Sequence, residues 1–473
     1  MGRAILTLLL VAVAGCGADS VPARRPNILL VVIDTLRADR LGAYGNRRGL
    51  TPFLDELAAR GHVAQRARAQ APWTNPSVAS ILTSRFQSQH GIITYGSVLA
   101  ESELTLAEVL KADGYATGAF SANGLIGKSL GFGQGFDRFD AHLLMKGDDP
   151  TYLRIPRRAD QMAADALAWL ADIRRDGPAD TPIFLYLHLM EPHSPYAPPP
   201  ELLARVRGTR PPFDVRQASE AMYIDNLTPL GETQLQEIVD AYDASVLAVD
   251  GALRAFFAAL RERGFLDDAV VVVTADHGEE FQEHGARGHG KTLYDEVIRV
   301  PLIVLAPGPP QAGVVEHLVS SVDIAPTVLA LAGIPIPPSF EGTSFASDLD
   351  ERPRERIRRA LGRMFDRGPE PVAYSEHLRP AGDPPTPLTP HERALVLDDT
   401  KLIRWRDGER RFYALDLDPG EQSPNIVEEF DRVRLEARLV EAQARAARNP
   451  SRAEIKLPDP QVRDALKALG YAE

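Results

Sequence analysis

The sequence predicts an α/β fold in which a large, mainly parallel sheet is sandwiched by helices and followed by a smaller C-terminal antiparallel sheet with a helix. Residues 27–33 (NILLVVI) and 269–274 (AVVVVT) are unbroken apolar or β-branched runs. That is the pattern of strands buried on both faces, which occur in parallel sheets covered by helices. Strand-like and helix-like stretches alternate up to residue 347, as crossover-connected parallel strands require. Beyond residue 371 the rhythm changes to four short, closely spaced strand-like runs.

Taken in order, a strand over 27–34 is followed by a helix near 51–60, a short strand at 115–121 and a helix near 159–174. A strand at 182–189, a long helix from about 230 to 263, and strands at 269–276 and 300–306 come next. Leu235, Ile238, Val239, Tyr242, Val246, Val249, Leu253 and Phe256 keep the 3.6-residue stripe that docks the long helix on the sheet. A proline- and arginine-rich passage at 348–371 then divides a catalytic unit, 26–347, from a C-terminal subdomain, 348–473. In the subdomain, 371–378, 393–397, 401–405 and 411–417 read as antiparallel strands, with Asp407 and Gly408 supplying a hairpin turn. Helices follow near 425–447 and at 460–469, the last with Asp459 as cap and Pro460 in its first turn.

With 473 residues, 44% hydrophobic and 25% charged, the chain has ample material for a large core. Its net charge of -12 argues against a nucleic-acid partner, whose phosphates are matched by clustered Lys and Arg. Residues 4–14 are apolar except for Thr7, and Arg3 is the only charged side chain before Asp19. A run so short does not cross about 30 Å of hydrocarbon, so residues 1–15 read as an export signal. Val13, Ala14, Gly15 and Cys16 resemble the lipobox of bacterial lipoproteins, with Val13 in place of the usual Leu. The resemblance implies that Cys16 is lipidated and becomes the mature N-terminus, with 16–25 as a tether to a membrane of the bacterial envelope, on its periplasmic or outer face. Cys16 is the only cysteine, so no intrachain disulfide forms.

The second apolar run stops at Asp276 and His277, two side chains that bind divalent metals. The first runs into Asp34, followed by Thr35, Arg37 and Asp39. Open α/β sheets bind ligands at the carboxyl ends of their strands, so two such acidic ends converge on one ion. Between residues 71 and 84 (APWTNPSVASILTS), Asn75 and Pro76 signal a helix start with Thr74 just before it. A hydroxyl there serves either as a cap or as a nucleophile, facing free amides that stabilise an oxyanion. Of eleven histidines, His188, His193, His277, His284 and His289 flank two strand ends, while none falls in 194–276. Singly, His188 also reads as a hydrogen-bonded core residue and His284 as a loop residue.

Asp34 in DTLRADRLGAYG, Thr74 in its Pro-Ser-x-x-Ser-x-Leu-Thr frame, Pro192-His193-x-Pro195, Asp276-His277-Gly278 and Lys291 in GKTLYDEVIRVPL resemble the sulfatase family of the alkaline phosphatase superfamily. The likeness continues through Val322 to Thr327 (VDIAPT) and Asp416 to Glu421 (DLDPGE), and so spans nearly the whole mature chain. It implies an alkaline-phosphatase-like fold and a divalent cation held by Asp34, Asp276 and His277, with the Thr74 oxygen completing the set. Metal binding lowers the pKa of water from about 15.7 to about 7, and an alcohol gains in the same direction, so no separate base is needed. Lys291 would grip the transferring anion and the leaving oxygen. His193 or His289 would hold or protonate the leaving group, and the pair offers a second metal position. Asn123, past a strand end, would donate to a non-bridging oxygen or simply make a turn. Arg37 and Asp39 would orient Asp34 or pair at the surface.

Departures from the family set the expected chemistry. Sulfate-ester hydrolases of the family carry Cys or Ser, oxidised to formylglycine, at the position of Thr74, and Arg at that of Val78. Threonine is not oxidised to an aldehyde, and the aldehyde hydrate is what expels bound sulfate. The family's Gly-Lys-x-His sulfate-gripping segment is missing after Gly114 and Tyr115, and Thr35 replaces a second Asp. A threonine nucleophile resembles instead the superfamily's phosphodiesterases, phosphonate monoester hydrolases and phosphoethanolamine transferases. The expectation is a metal-dependent ester hydrolase of anionic glycan, lipid or small-molecule esters, favouring phosphate esters or diesters over sulfate. One fewer carboxylate and a histidine ligand favour zinc or manganese, with calcium as the alternative. A phosphoethanolamine-type transferase to an envelope glycan or lipid is the enzymatic alternative, and a catalytically silent anion-binding lipoprotein is the other. Selectivity is expected in the rim at 142–158 and 195–230.

Overall fold

Eight strands build the main sheet: β1 (Asn27–Ile33), β2 (His62–Ala64), β3 (Ala116–Ser121), β4 (Arg138–Ala141), β5 (Ile183–Leu189), β6 (Ala269–Thr274), β7 (Leu302–Leu305) and β8 (Gly313–Val315). Their order is β8-β2-β7-β6-β1-β5-β3-β4. This computed structural model describes residues 25–141, 157–215, 229–309, 311–349, 371–379, 391–451 and 453–455. The expected export signal, Cys16, the tether before residue 25, nearly all of 348–371, the helix at 460–469 and much of the predicted rim lie outside the described residues.

The centre of the sheet follows the hydropathy. β1, β5 and β6 are buried along their whole lengths and pair in parallel with β1 in the middle, Ile33 opposite Leu189 and Val32 opposite Thr274. β3 joins β5 in parallel, with Ser121 opposite His188. These four strands therefore end at one edge. The run predicted at 300–306 is shorter, as β7, and lies antiparallel between β6 and β2. The chain between β6 and β7 folds as a loop at the carboxyl edge instead of crossing back over the sheet, so it re-enters from the end at which it left.

Eight helices enter this description: α1 (Pro52–Ala58), α2 (Thr74–Thr83), α3 (Leu106–Ala112), α4 (Ala159–Asp176), α5 (Pro200–Arg207), α6 (Glu232–Glu262), α7 (Ile324–Leu331) and α8 (Glu429–Ala446). α6 buries Ile238, Tyr242, Val246, Val249, Leu253 and Phe256 as its periodicity requires. α4 lies so close to β3 that a Cβ added at Gly118 would come 2.6 Å from the Trp169 ring.

The C-terminal runs form a four-stranded antiparallel sheet in chain order: β9 (Val372–Glu376), β10 (His391–Leu397), β11 (Thr400–Trp405) and β12 (Arg410–Ala414). Gly408 takes φ +94° in the β11–β12 turn. β12 stops before the predicted end at 417 because Asp418 N donates to Ala414 O at 2.8 Å and the chain turns. α8 lays Leu435, Leu439, Ala442 and Ala446 on this sheet. A buried ion cluster fastens it to the main unit: Lys401, with no exposed surface, reaches Asp295 Oδ1 at 2.9 Å and Glu421 Oε1 at 2.8 Å. Arg68 grips the same Asp295 through two nitrogens, at 3.1 and 2.6 Å.

Candidate active site

Four strand ends supply one cluster. Asp34 follows β1, and its N–H donates to Leu189 O at the end of β5 at 2.9 Å. Asp276 and His277 follow β6, Asn123 follows β3, and His188 stands within β5. Asp34, Thr74, His188, Asp276 and His277 expose no surface, and Asn123 almost none.

Hydrogen bonding leaves one carboxylate oxygen without a partner on each of Asp34 and Asp276. Asp34 Oδ2 accepts from Asn123 Nδ2 at 2.6 Å and pairs with His188 Nε2 at 3.2 Å. Its Oδ1 is buried without a hydrogen-bond partner. Asp276 Oδ1 accepts from the backbone N–H groups of Thr35 at 3.2 Å and His277 at 2.9 Å, and its Oδ2 is likewise buried without one. His277 Nδ1 donates to Gly278 O at 2.9 Å, which turns Nε2 toward the two carboxylates and Thr74. That nitrogen lies 3.8 Å from Asp34 Oδ1, 3.5 Å from Asp276 Oδ2 and 3.4 Å from Thr74 Oγ1. Such spacings fit ligands about 2.0–2.6 Å from a shared ion, and orphaned buried carboxylate oxygens are hard to sustain without one.

The backbone around these atoms is tightly constrained. A Cβ on Gly278 would stand 2.1 Å from Glu296 O, so the turn after His277 admits only glycine without movement. Thr35 takes φ +57°, a strained value for a β-branched residue, and is held there by Tyr242 OH donating to its carbonyl at 2.8 Å. The strained turn presents the Thr35 N–H that Asp276 accepts.

Thr74 is the first residue of α2, with Trp73 as N-cap and no side-chain cap bond. The sequence reading, which put the helix start after it, was late by one residue. Its hydroxyl instead lies against the cluster, 3.4 Å from Asn123 Nδ2 as well as from His277. Ser77 on the next turn's face donates to Asp276 O at 2.5 Å, seating α2 against the end of β6. Val78, where the family places Arg, is fully buried.

Electrostatics mark the same place. Burial pushes Asp34 up, but His193, His188 and His277 outweigh it and hold the carboxyl well below its usual range. Burial and the Asp34 charge push Asp276 up. The two carboxyls are thus driven in opposite directions, Asp34 kept ionised and Asp276 made the readier of the two to take a proton when no cation is present. His193 is lowered to about 4 and His289 is lowered well below its usual value, both mainly by burial, so both imidazoles are neutral.

A second ring surrounds the cluster. The His289 ring is 4.5 Å from that of His277 and 4.9 Å from that of His193, centre to centre. His289 Nδ1 pairs with Glu279 Oε1 at 2.7 Å, and Tyr196 OH donates to Glu279 Oε2 at 3.2 Å. Lys291, half-buried, donates to Arg287 O, and burial lowers it to about 8. Its loop is set beside the nucleophile helix, since Gly290 N donates to Pro72 O at 2.8 Å.

Sequence reasoning missed the roles of Glu279, Tyr196 and Tyr186, and left His188 between core and site. Among the described residues no set of three metal-ligating side chains includes His193 or His289; the second such set is Glu280, His284 and Glu296. His193 and His289, expected to offer a second metal position, lie side by side, with Glu279 paired to His289 Nδ1. His284 belongs to that other set, with Nδ1 2.6 Å from Glu296 Oε1. Arg37 does not touch Asp34; it grips Asp39 at 2.9 and 2.8 Å and donates to Glu279 O at 2.9 Å.

Residues 26–334 match the family described as Sulfatase. The chain is 31% identical over 371 residues to human arylsulfatase A, covering 70% of this chain and 68% of that one. It is 28% identical over 356 residues to an ulvan-active sulfatase of Formosa agariphila, covering 71% and 67%. Among solved structures it is similar to a protein in complex with its substrate D-glucosamine-2-N,6-O-disulfate, with TM-score 0.72, 21% identity and coverage of 90% and 99%. It also resembles the phosphonate monoester hydrolase of Silicibacter pomeroyi, with TM-score 0.66, 23% identity and coverage of 92% and 100%. The strand-end cluster thus sits in an alkaline-phosphatase-like fold, and the chain belongs to the sulfatase family of ester-bond hydrolases.

Proposed function

We propose that the protein is a metal-dependent ester hydrolase that uses Thr74 as nucleophile and prefers phosphate esters or diesters to sulfate esters. The supporting observation is the pair of buried carboxylate oxygens without hydrogen-bond partners, Asp34 Oδ1 and Asp276 Oδ2, with His277 Nε2 3.5 Å from the latter and Thr74 Oγ1 3.4 Å from that nitrogen. These three side chains and the threonine would hold one divalent cation, with zinc or manganese favoured by the histidine. Bound there, the cation supplies positive charge that eases ionisation of the Thr74 hydroxyl.

The remaining chemistry belongs to the chain. Thr74 Oγ1, its proton released to solvent, attacks phosphorus in line. The bond from phosphorus to the leaving oxygen breaks, and that oxygen takes a proton from the Lys291 ammonium. Lys291 suits this because burial brings it to about 8, close to neutral pH. Neutral His193 and His289 hold the leaving oxygen by hydrogen bonds, and the Asn123 amide lies beside the ester formed on Thr74. Water then attacks the same phosphorus, the bond to Thr74 Oγ1 breaks to return the threonine alkoxide that begins the next turnover, and the Lys291 amine takes the water's proton. A sulfated threonine has no neighbouring hydroxyl to expel its sulfate, which is the reason for the phosphate preference.

The mature protein should be incubated with divalent metals and a panel of aryl sulfate, phosphate, phosphodiester and phosphonate esters, beside Thr74→Ala. Faster turnover of a phosphorus ester and a trapped phosphopeptide containing Thr74 are expected. Turnover that survives Thr74→Ala, or a sulfate ester as best substrate, rejects the reading.

The same proposal places the enzyme on a membrane of the bacterial envelope through a lipid on Cys16, on the sequence pattern of residues 1–16. Cys16→Ser should move the protein from the membrane to the soluble fraction; retention on the membrane argues against the anchor.

A further inference from the structure

Tyr186 and His188 lie two residues apart in β5 and so share one face of the strand. Strand register puts His188 opposite Val32 on one side and Ser121 on the other, level with the ends of β1 and β3. From there the imidazole reaches the residue that follows β1. Tyr186 OH is 2.9 Å from His188 Nδ1, and His188 Nε2 is 3.2 Å from Asp34 Oδ2. All three residues expose no surface.

The direction of the two hydrogen bonds follows from the groups. An ionised carboxylate only accepts, so the nitrogen facing Asp34 donates. With that nitrogen as the donor, the tautomer that completes the chain has Nδ1 as the acceptor, 2.9 Å from Tyr186 OH. Burial, with the charges of Asp276 and Asp34, holds the Tyr186 hydroxyl well above its usual pKa, so the phenol keeps its proton and donates it to Nδ1. We infer that Tyr186 and His188 are positioning residues for the cation site: the phenol fixes the His188 tautomer, and the Nε2 proton pins Asp34 Oδ2 so that Oδ1 alone faces the ion. With Asn123 also donating to Oδ2, that oxygen is occupied and the carboxylate binds through one atom.

This inference rests on the reading of Asp34 as a cation ligand, and the experiment separates the two. The full mature chain, stripped with chelator, is titrated with Mn²⁺ by calorimetry, beside His188→Gln, His188→Leu and Tyr186→Phe. Wild type binds one ion. His188→Leu weakens Mn²⁺ binding about 10–100-fold, and His188→Gln, whose amide nitrogen stands in for Nε2, recovers most of the loss. Tyr186→Phe, which removes one hydroxyl at constant shape, weakens binding by less than His188→Leu and covers the case in which the leucine variant does not fold. Nitrogen NMR of wild type shows the His188 proton on Nε2. Failure of wild type to bind any ion sinks both readings. An ion bound equally well by His188→Leu or Tyr186→Phe, a glutamine variant no better than leucine, or a proton on Nδ1 overturns the positioning role alone.

Discussion

Asn123 Nδ2 stands 2.6 Å from Asp34 Oδ2, and the same nitrogen is 3.4 Å from Thr74 Oγ1. One amide thus ties a candidate ligand to the candidate nucleophile across two parts of the chain. Asn123→Ala is expected to lower kcat/KM about 10²–10³-fold, the usual effect of losing one fixed donor at a reacting oxygen. Asn123→Asp sets a carboxylate against Asp34 and should lose more. Steady-state kinetics on an aryl phosphate check both; an unchanged alanine variant contradicts the assignment.

Thr74→Val keeps the shape of the side chain and removes its hydroxyl. Activity should fall by at least about 10³-fold, leaving what binding and electrostatics supply alone. With chelator present, the melting temperature should hardly move, because the hydroxyl makes no cap bond to α2. Kinetics and thermal melts of one preparation decide it.

Removing the cation should abolish turnover and lower stability together. A ligand present at about one hundred times its dissociation constant stabilises the fold by about 2.7 kcal/mol, and its loss leaves Asp34 and Asp276 facing each other while buried. Scanning fluorimetry with chelator, followed by Mn²⁺ or Zn²⁺ add-back, should show midpoint and activity recovering at the same metal concentration.

Gly278→Ala tests the turn that presents His277. Its new methyl would overlap Glu296 O at 2.1 Å, and the Gly278 N–H bond to Val297 O at 2.7 Å has no room to shift. A destabilisation of about 1–3 kcal/mol and weaker metal binding are expected, by denaturant unfolding and metal titration. A variant as stable as wild type counts against this packing.

Glu191 gives a pH dependence outside the cluster. Both its oxygens accept from Ala159 N at the start of α4, each at 3.1 Å, and burial pushes its carboxyl up to about 7. The folded value lies above the ordinary one of about 4.3, so its contribution to stability is complete below about pH 4.3 and is lost as pH rises through about 7. Chelated wild type should lose denaturant stability from acid towards pH 8, and Glu191→Gln should lose less. Parallel curves for the two proteins exclude Glu191 as a source.

The strands that carry the chemistry were legible because burial on both faces leaves unbroken apolar runs, and Asp34, Asp276 and His277 stand where those runs stop. Direction was not legible: the residues of β7 read the same whether parallel or antiparallel, and only the loop before it decides. Hydrogen-bond partners were the other blind spot, since Glu279 meets His289 through loop geometry that no period encodes. His188 was within reach, for Tyr186 and His188 are the two polar-tipped residues in an otherwise apolar strand and their spacing of two puts them on one face. Of the two readings of Arg37 and Asp39, steadying Asp34 or pairing with each other, the structure shows the pairing, because the turn at Thr35 carries Arg37 away from the ligand.

Lys401 has its charge sealed between Asp295 of the main unit and Glu421, while Arg68 completes the knot from below. Pulling the two parts of the chain apart would break the Lys401–Asp295 contact, leaving Asp295 with Arg68 and Lys401 with Glu421, and would open to water the apolar contact of Leu293, Tyr294 and Ile298 with Ala394, Ile403 and Tyr413. The halves should accordingly melt in one transition, and a chain cut after residue 347 should be insoluble instead of yielding a small working hydrolase.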